Sequence, residues 1–147
     1  MIQRIQTIYI FVATILIGTL FKLKLADLSV NNELMEFFAT GIEKSNEIIF
    51  DGLPLLIFIG IIVILHLVSI FLYKKRILQI RILVFSIILL LGLVGMFFYF
   101  IFAGLDGAKV AYKIPMAFPL IAIILDWLAI RAIGKDEALI RSLNRLR

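Results

Sequence analysis

The sequence predicts an all-α integral membrane protein, a four-transmembrane-helix bundle with cytoplasmic N- and C-termini. Hydrophobic residues make up 63% of the 147 residues, and the mean hydropathy is +1.14. A soluble domain is nearer about 45–50% apolar. The charged residues fall in clusters between four long apolar segments, and most of the lysines and arginines lie at alternate segment ends. These observations together indicate several membrane crossings.

The four apolar segments approach the length of about 20 residues that a membrane-spanning helix needs. Pro54 and Pro115 stand near the start of two of them, where a helix tolerates the missing backbone N–H. No small-x-small cleavage site follows the first segment, so we expect it to be retained. We predict a single membrane domain over 1–147, with spans at about 5–21, 53–73, 82–105 and 116–133, an outer loop at 22–52 and an amphipathic tail at 134–147.

The distribution of positive charge predicts the orientation. Ten of the fifteen lysines and arginines lie at the N-terminus, in the loop between the second and third spans, and from Arg131 at the end of the fourth span through the tail. Cytoplasmic loops carry such an excess. We therefore expect these three regions to be cytoplasmic and the protein to reside in a bacterial inner membrane, crossing it several times.

The outer loop allows two interpretations. Asn32 could cap a short helix with Leu34, Phe37, Phe38 and Ile42 along one face. A pair of strands is the competing prediction, and the residues leave both open. The second outer loop, between the third and fourth spans, reads as a short turn.

Two ionisable side chains lie within the apolar segments. His66, the single histidine, and Asp126 would lie about 12 and 13.5 Å from the cytoplasmic edge at about 1.5 Å per residue. A carboxylate at mid-membrane costs about 2.5–3.5 kcal/mol on insertion scales, which favours a partner inside the bundle. His66 and Asp126 are therefore a candidate intramembrane polar pair. The pair would either fix helix packing or serve a proton relay or binding site.

The predicted cytoplasmic side carries our candidate binding face. It combines cations, amides and one acid, and cations near an anionic leaflet contribute about 1 kcal/mol each. We expect it to bind membrane lipid or another membrane or cytoplasmic protein. Its members are Gln3, Arg4, Gln6, Lys74, Arg76, Gln79, Arg81, Arg131, Lys135, Glu137, Arg141 and Arg145.

Several classes of function find no support. The chain has no cysteine and one histidine, so a metal site is not expected. It contains no phosphate-binding loop, no Ser–His–Asp spacing and no paired carboxylates, and we expect neither a catalytic residue nor a cofactor. Because most basic residues flank apolar spans, we interpret the net charge of +5 as membrane topology rather than nucleic-acid binding. Asp136 and Glu137 among many bases are poor support for a lipid-modifying enzyme.

Three blocks carry a resemblance: "MIQRIQTIY" at Met1–Tyr9, "LYKKRILQIRI" at Leu72–Ile82 and "LAIRAIGKDEALIRSLNRLR" at Leu128–Arg147. Through them the whole chain resembles a Bacteroidota family of small four-span inner-membrane proteins, a domain of unknown function. The resemblance implies location and architecture but no reaction.

The sequence thus predicts a non-enzymatic inner-membrane subunit or accessory protein that binds a partner or anionic lipid through its basic cytoplasmic face. The alternative is a small proton-linked transporter or channel that uses Asp126 and His66.

Overall fold

The computed structural model describes residues 3–30, 33–44, 47–104 and 109–145. Four α-helices lie where the four apolar segments stand in the sequence. They are α1 (Gln3–Thr19), α2 (Leu53–Phe71), α3 (Arg76–Gly104) and α4 (Phe118–Arg145). A 3-10 turn, Ile114–Ala117, leads into α4. Because α4 continues through Gly134, residues 134–145 of the predicted tail are the last part of a single helix of 28 residues.

A five-stranded antiparallel sheet covers one end of the helices. Its strands are β1 (Ala26–Val30), β2 (Glu33–Phe38), β3 (Gly41–Lys44), β4 (Glu47–Asp51) and β5 (Lys109–Tyr112). The order across the sheet is β4-β3-β2-β1-β5. The first four strands form a meander between α1 and α2, whereas β5 comes from the segment between α3 and α4. Because β5 pairs with β1, the two outer loops form one sheet.

The prediction of an all-α bundle is therefore wrong, and the fold is mixed α and β. In β2, Met35 and Phe37 are buried while Leu34 and Glu36 are exposed. Burial with a period of two identifies a strand, and it puts Leu34 and Phe37 on opposite faces instead of one helical face. The second outer loop is likewise more than a turn, since Lys109–Tyr112 lie opposite Ala26–Ser29. Asn32, the proposed helix cap, lies outside the described residues.

The prediction of four transmembrane helices is also wrong. In the described part of the chain, three helical segments are long and apolar enough to cross a membrane: Leu53–Phe71, Arg76–Phe102 and Ile114–Ile140. The first helix falls short because it ends at Thr19 and its apolar part covers only Ile5–Thr19. A spanning helix needs about 20 such residues. Residues 20–22 form a turn that leads into the sheet.

The molecule has two chemically different ends. The sheet end comprises the five strands and the helix termini beside them. The basic end comprises the start of α1, the turn between α2 and α3, and the end of α4. Contacts from Gln6 to Asp136 and from Arg76 to Glu137 bring these three segments together.

Aromatic packing attaches the sheet to the helices. The ring of Phe37 on β2 lies edge-on to Phe97 and stacks with Phe100, with both centroid distances 6.2 Å. Phe37 and Phe97 are fully buried in a core that also includes residues of α1, α2 and α4. Such ring pairs contribute about 0.5–1.5 kcal/mol beyond the area they bury. The sheet is therefore part of the same core as the helices.

An ionic network of Lys24, Asp27, Glu36 and Lys113 lies beside strands β1, β2 and β5. The carboxylate of Asp27 accepts from Lys113, 2.8 Å away, and from Lys24, 3.0 Å away. Lys24 also pairs with Glu36 across β1 and β2. The ammonium of Lys113, followed by that of Lys24, lowers the pKa of Asp27 below its usual 3.8. Glu36, followed by Asp27, raises the pKa of Lys24 above 10.5.

We predict that this network makes the fold sensitive to acid. The lowered pKa of Asp27 means that its stabilisation is present above about pH 3.8 and is lost as the pH falls through the folded-state pKa. The raised pKa of Lys24 makes its stabilisation complete below about pH 10.5 and lost at higher pH. Asp27→Asn should therefore flatten the acid side of a plot of thermal midpoint against pH. Glu47→Gln, at an exposed residue of β4, is the control; equal acid profiles for the two variants would disprove the prediction.

Glycine is required at the turn that leads into β3. Gly41 has φ of +132°, and a Cβ there would lie 2.0 Å from the carbonyl oxygen of Phe50. We predict that Gly41→Ala lowers the free energy of unfolding by at least about 1–3 kcal/mol, the cost of such a backbone conformation alone. Thermal unfolding in detergent, followed by circular dichroism, measures the loss.

Gly60→Ala is the matched control for Gly41, because a Cβ at Gly60 meets nothing within 4 Å. It should unfold at or above the wild-type temperature, since alanine favours the helix interior. Equal thermal midpoints for the two variants would contradict the assignment of Gly41.

Candidate functional site

The two ionisable residues of the apolar segments are in direct contact. His66 Nε2 lies 2.9 Å from Asp126 Oδ2 and 3.0 Å from Oδ1, and both side chains are fully buried. His66 belongs to the stripe of α2 that faces the interior, with Ile59, Ile62 and Ser69 at spacings of three or four residues. The sequence predicted similar depths for His66 and Asp126, and in the structure these two side chains join α2 to α4.

The surroundings of His66 limit where its protons can be. Its Nδ1 lies 2.9 Å from the backbone oxygen of Ile62. A carbonyl oxygen only accepts, so Nδ1 carries a proton. The remaining proton lies between Nε2 and Asp126, which gives either imidazolium with carboxylate or neutral imidazole with carboxylic acid. Either arrangement has zero net charge, and this removes the largest cost of placing the two groups in an apolar interior.

Further polar groups lie beside the pair. Ser69, three residues after His66, is fully buried, and its backbone oxygen accepts a bond of 3.0 Å from Gln79 Nε2. Within the described residues, the hydroxyls of Ser69 and Ser86 have no hydrogen-bond partner although both are buried. Thr14 instead donates to its own helix, at the backbone oxygen of Ile10. The buried polar groups beyond the pair therefore include two unsatisfied hydroxyls.

A second buried contact connects α1 and α4 near the basic end. Gln6 Nε2 donates to Asp136 Oδ2 over 2.6 Å, and both residues are buried. Gln6 and Gln79 were expected on a binding face, but each lies inside and bonds to another helix. Asp136 was not among the expected site residues. The signal that could have identified it is the acidic pair that it forms with Glu137 between two basic stretches.

The remaining cations of the basic end are largely at the surface. Lys74, Lys75, Arg81, Arg131 and Lys135 are exposed. The side chains of Gln3, Arg4, Arg141 and Arg145 lie outside those that the structure describes.

Two exposed cations lie beside aromatic rings. The guanidinium carbon of Arg131 lies 5.6 Å from the ring centroid of Trp127, and Lys74 Nζ lies 5.8 Å from that of Tyr73. Pairing of a cation with an aromatic face suits a membrane interface, where one side of the pair is apolar and the other is wet.

Among the described residues, two surface pockets open at the basic end. The larger, of about 680 Å³, lies between the α2–α3 turn and α4, and its charged lining is Lys74, Lys75, Arg76, Arg81 and Glu137. Of these, Arg76 is half-buried, and its Nη1 lies 4.0 Å from Glu137 Oε2.

The smaller pocket, of about 480 Å³, lies between α1 and α4. It is lined by Arg131 and Lys135 together with apolar residues and the buried Asp136. The structure thus places the expected cations around two pockets separated by α4.

No metal chemistry is apparent at either place. Within residues 3–30, 33–44, 47–104 and 109–145, no group of three or more His, Asp or Glu side chains is arranged to hold a metal ion. The described residues thus provide a hydrogen-bonded His66–Asp126 pair in the interior and a group of exposed cations at the basic end.

Family comparison agrees with the resemblance at the level of the family. Residues 2–146 match the model of the family described as "Domain of unknown function (DUF4293)". The chain belongs to this family. Neither curated proteins nor solved structures give a significant match. The match to the DUF4293 family covers almost the whole chain. The description of the family gives no reaction, so the sites of the protein are the evidence for its function.

We predict that the buried pair is replaceable by a neutral pair of the same shape. In Asp126→Asn, the amide can donate to His66 Nε2 while Nδ1 keeps its bond to Ile62, so stability should change by less than about 1 kcal/mol. In Asp126→Leu, Nε2 loses its partner, and the free energy of unfolding should fall by about 1–3 kcal/mol. Thermal or denaturant unfolding in detergent distinguishes the two variants.

The double variant His66→Leu with Asp126→Leu provides the control for coupling. The double variant should lose less free energy of unfolding than the sum of the losses in His66→Leu and in Asp126→Leu, because it leaves neither member of the pair without its partner. Additive losses, or an asparagine variant as unstable as the leucine variant, would show that the contact does not contribute as described.

Proposed function

We propose that this protein is a non-enzymatic membrane subunit or accessory factor whose basic end binds a partner protein or anionic lipid. We place it in the inner membrane of a bacterium, in the Bacteroidota that the sequence resemblance implies, with the basic end in the cytoplasm. The helices α2, α3 and α4 are the proposed spanning elements. No catalytic residue or cofactor belongs to this proposal.

The outward surfaces of these three helices support a membrane location. Ile64, Leu91 and Ile124 are each more than half exposed. Only 28% of each candidate spanning window is buried inside the molecule. A water-soluble protein rarely exposes apolar surface of this extent, whereas lipid covers it at no cost. The exposure of apolar side chains on α2, α3 and α4 thus supports the proposed spans in addition to their composition.

The proposal of binding is supported by a difference between the two ends in how many cations have an acidic partner. At the sheet end, three lysines have acidic partners, since Lys24 and Lys113 share Asp27 and Lys44 pairs with Glu33. At the basic end, Lys75, Arg81 and Lys135 have no ion pair within the described residues. Unpaired cations gathered on one end provide a surface for an anionic ligand or an acidic protein.

The absence of cysteine allows a direct test of orientation. Lys22→Cys places a thiol at the sheet end, and Lys75→Cys places one at the basic end; both residues are exposed. In intact spheroplasts, a membrane-impermeant maleimide should label Lys22→Cys and should label Lys75→Cys only after permeabilisation. The reverse pattern, or equal labelling of both, would overturn the proposed placement.

Binding is tested by purification from native membranes in several mild detergents. The wild type should carry bound protein or lipid that Lys75→Gln with Arg81→Gln loses. The matched control, Lys22→Gln with Lys109→Gln, removes two exposed cations of the sheet end and should retain the bound material. Wild-type protein recovered without protein or lipid in every detergent would refute the proposal.

The buried pair supports a second candidate, a proton-linked transporter or channel. The observation that favours it is the buried contact of 2.9 Å between His66 Nε2 and Asp126 Oδ2, together with the unsatisfied hydroxyls of Ser69 and Ser86. Because Asp126→Asn should preserve the fold, loss of proton-linked flux in proteoliposomes would report chemistry rather than unfolding. Unchanged flux in this variant, or no flux for any ion tested, would eliminate this candidate.

A further inference from the structure

The larger pocket of the basic end contains an unsatisfied donor. Nη1 of Arg76 is buried and has no hydrogen-bond partner within the described residues. The carboxylate of Glu137, 4.0 Å away, is near enough for ionic attraction but too far for a hydrogen bond. A buried guanidinium nitrogen without an acceptor is costly. Arg76, which lines the pocket and keeps 16% of its side chain exposed, therefore has donor capacity that the described chain does not use.

The first turn of α3 adds further donors to the same pocket. The backbone amides of Arg76, Ile77 and Leu78 open the helix, and no acceptor for them is present in the described part of the chain. The first hydrogen bond with helical i to i−4 spacing is the one that the backbone amide of Gln79 donates to the carbonyl oxygen of Lys75. Free amides at the start of a 29-residue helix favour anions, and phosphate is a common ligand there.

The charge balance favours a ligand with more than one anionic oxygen. Lys74, Lys75, Arg76 and Arg81 line the pocket, and Glu137 is the acid among its lining residues. Because Glu137 is already close to Arg76, the other three cations lack a counter-charge in the described chain. Phosphate oxygens can accept from a guanidinium and backbone amides at once.

The apolar part of the pocket distinguishes a lipid from a free anion. Ile77 and Leu78 are exposed beside the cations, and Tyr73 and Ile140 complete the wall. In the proposed orientation, the pocket lies where α2 and α3 leave the membrane. An acyl chain can cover the apolar wall while the headgroup reaches the cations.

We propose that this pocket binds the phosphate-bearing headgroup of an anionic lipid. The guanidinium of Arg76 and the first amides of α3 hold the phosphate, and Lys74, Lys75 and Arg81 surround it. The inference rests on the proposed function and specifies its ligand. Glu137 competes with the phosphate for Arg76 and weakens binding.

The test uses the full-length protein, purified in detergent and stripped of lipid. Phosphatidylglycerol, phosphatidylcholine or inorganic phosphate is added, and native mass spectrometry and thermal unfolding measure binding. Phosphatidylglycerol should bind at least tenfold more tightly than phosphatidylcholine and should raise the thermal midpoint. Inorganic phosphate should give a smaller shift; a shift equal to that of the lipid would assign the pocket to a free anion and overturn the lipid proposal.

Variants assign the binding to the pocket. Arg76→Gln should weaken phosphatidylglycerol binding at least tenfold, whereas Lys22→Gln, at the sheet end, should leave it unchanged. Glu137→Gln should strengthen binding, because it removes the competing carboxylate. A merely structural ion pair predicts the opposite result, a Glu137→Gln variant that binds less. Retained affinity in Arg76→Gln would refute the assignment.

The lipid-binding test can fail without the failure of the proposed function. Equal affinity for phosphatidylglycerol and phosphatidylcholine would overturn the lipid site. The proposed function would still stand if a protein copurified with the wild type and was lost from Lys75→Gln with Arg81→Gln. Loss of both lipid preference and copurifying material would refute both proposals.

Discussion

The contact between His66 and Asp126 is the constraint on which the arrangement of the helices depends. Around the molecule, α1 packs beside α2 and α4, and α3 packs beside α2 and α4. Helices α2 and α4 are therefore diagonal partners, and the histidine and aspartate bridge the centre between them. A polar group in this interior costs free energy unless it is paired. The pairing accordingly fixes both the rotation and the relative height of the two helices.

The same requirement accounts for the other buried polar contacts. Gln6 with Asp136 joins α1 to α4, and Gln79 with the Ser69 backbone joins α3 to α2. Packing between uniformly apolar helix faces does little to specify which faces meet. Sparse polar pairs supply that specificity. The hydroxyls of Ser69 and Ser86, which are buried without a hydrogen-bond partner in the described chain, are departures from this rule.

The two ends of the molecule treat charge differently, and this difference underlies the functional argument. At the sheet end, acids and lysines are matched across neighbouring strands, as in the network around Asp27. At the basic end, the nearby acids are engaged: Asp136 with Gln6, and Glu137 beside Arg76. The cations there remain available to groups outside the chain. Paired lysines therefore predominate at the sheet end, whereas Lys75, Arg81 and Lys135 at the basic end have no ion pair within the described residues.

The sequence by itself determined the features that depend on local composition. Long apolar segments located the helices, and helical rise put His66 and Asp126 at one depth. It could not establish the sheet, because β5 pairs with a strand about 80 residues earlier in the chain, and local periodicity carries no information on such pairing. It also misjudged Gln6 and Gln79, whose polarity is typical of a surface and whose burial becomes acceptable only through partners on other helices.

Tertiary structure alone decided where α1 ends. The apolar character of Leu20 and Phe21 suggested that the span continues, yet Leu20 is buried and Leu25, a little further on, bonds to Phe37 in the sheet. Hydrophobicity records that a residue leaves water, but not whether lipid or protein receives it. The sheet provided that protein surface, and it is the reason that the four apolar segments gave three helices of spanning length within the described residues.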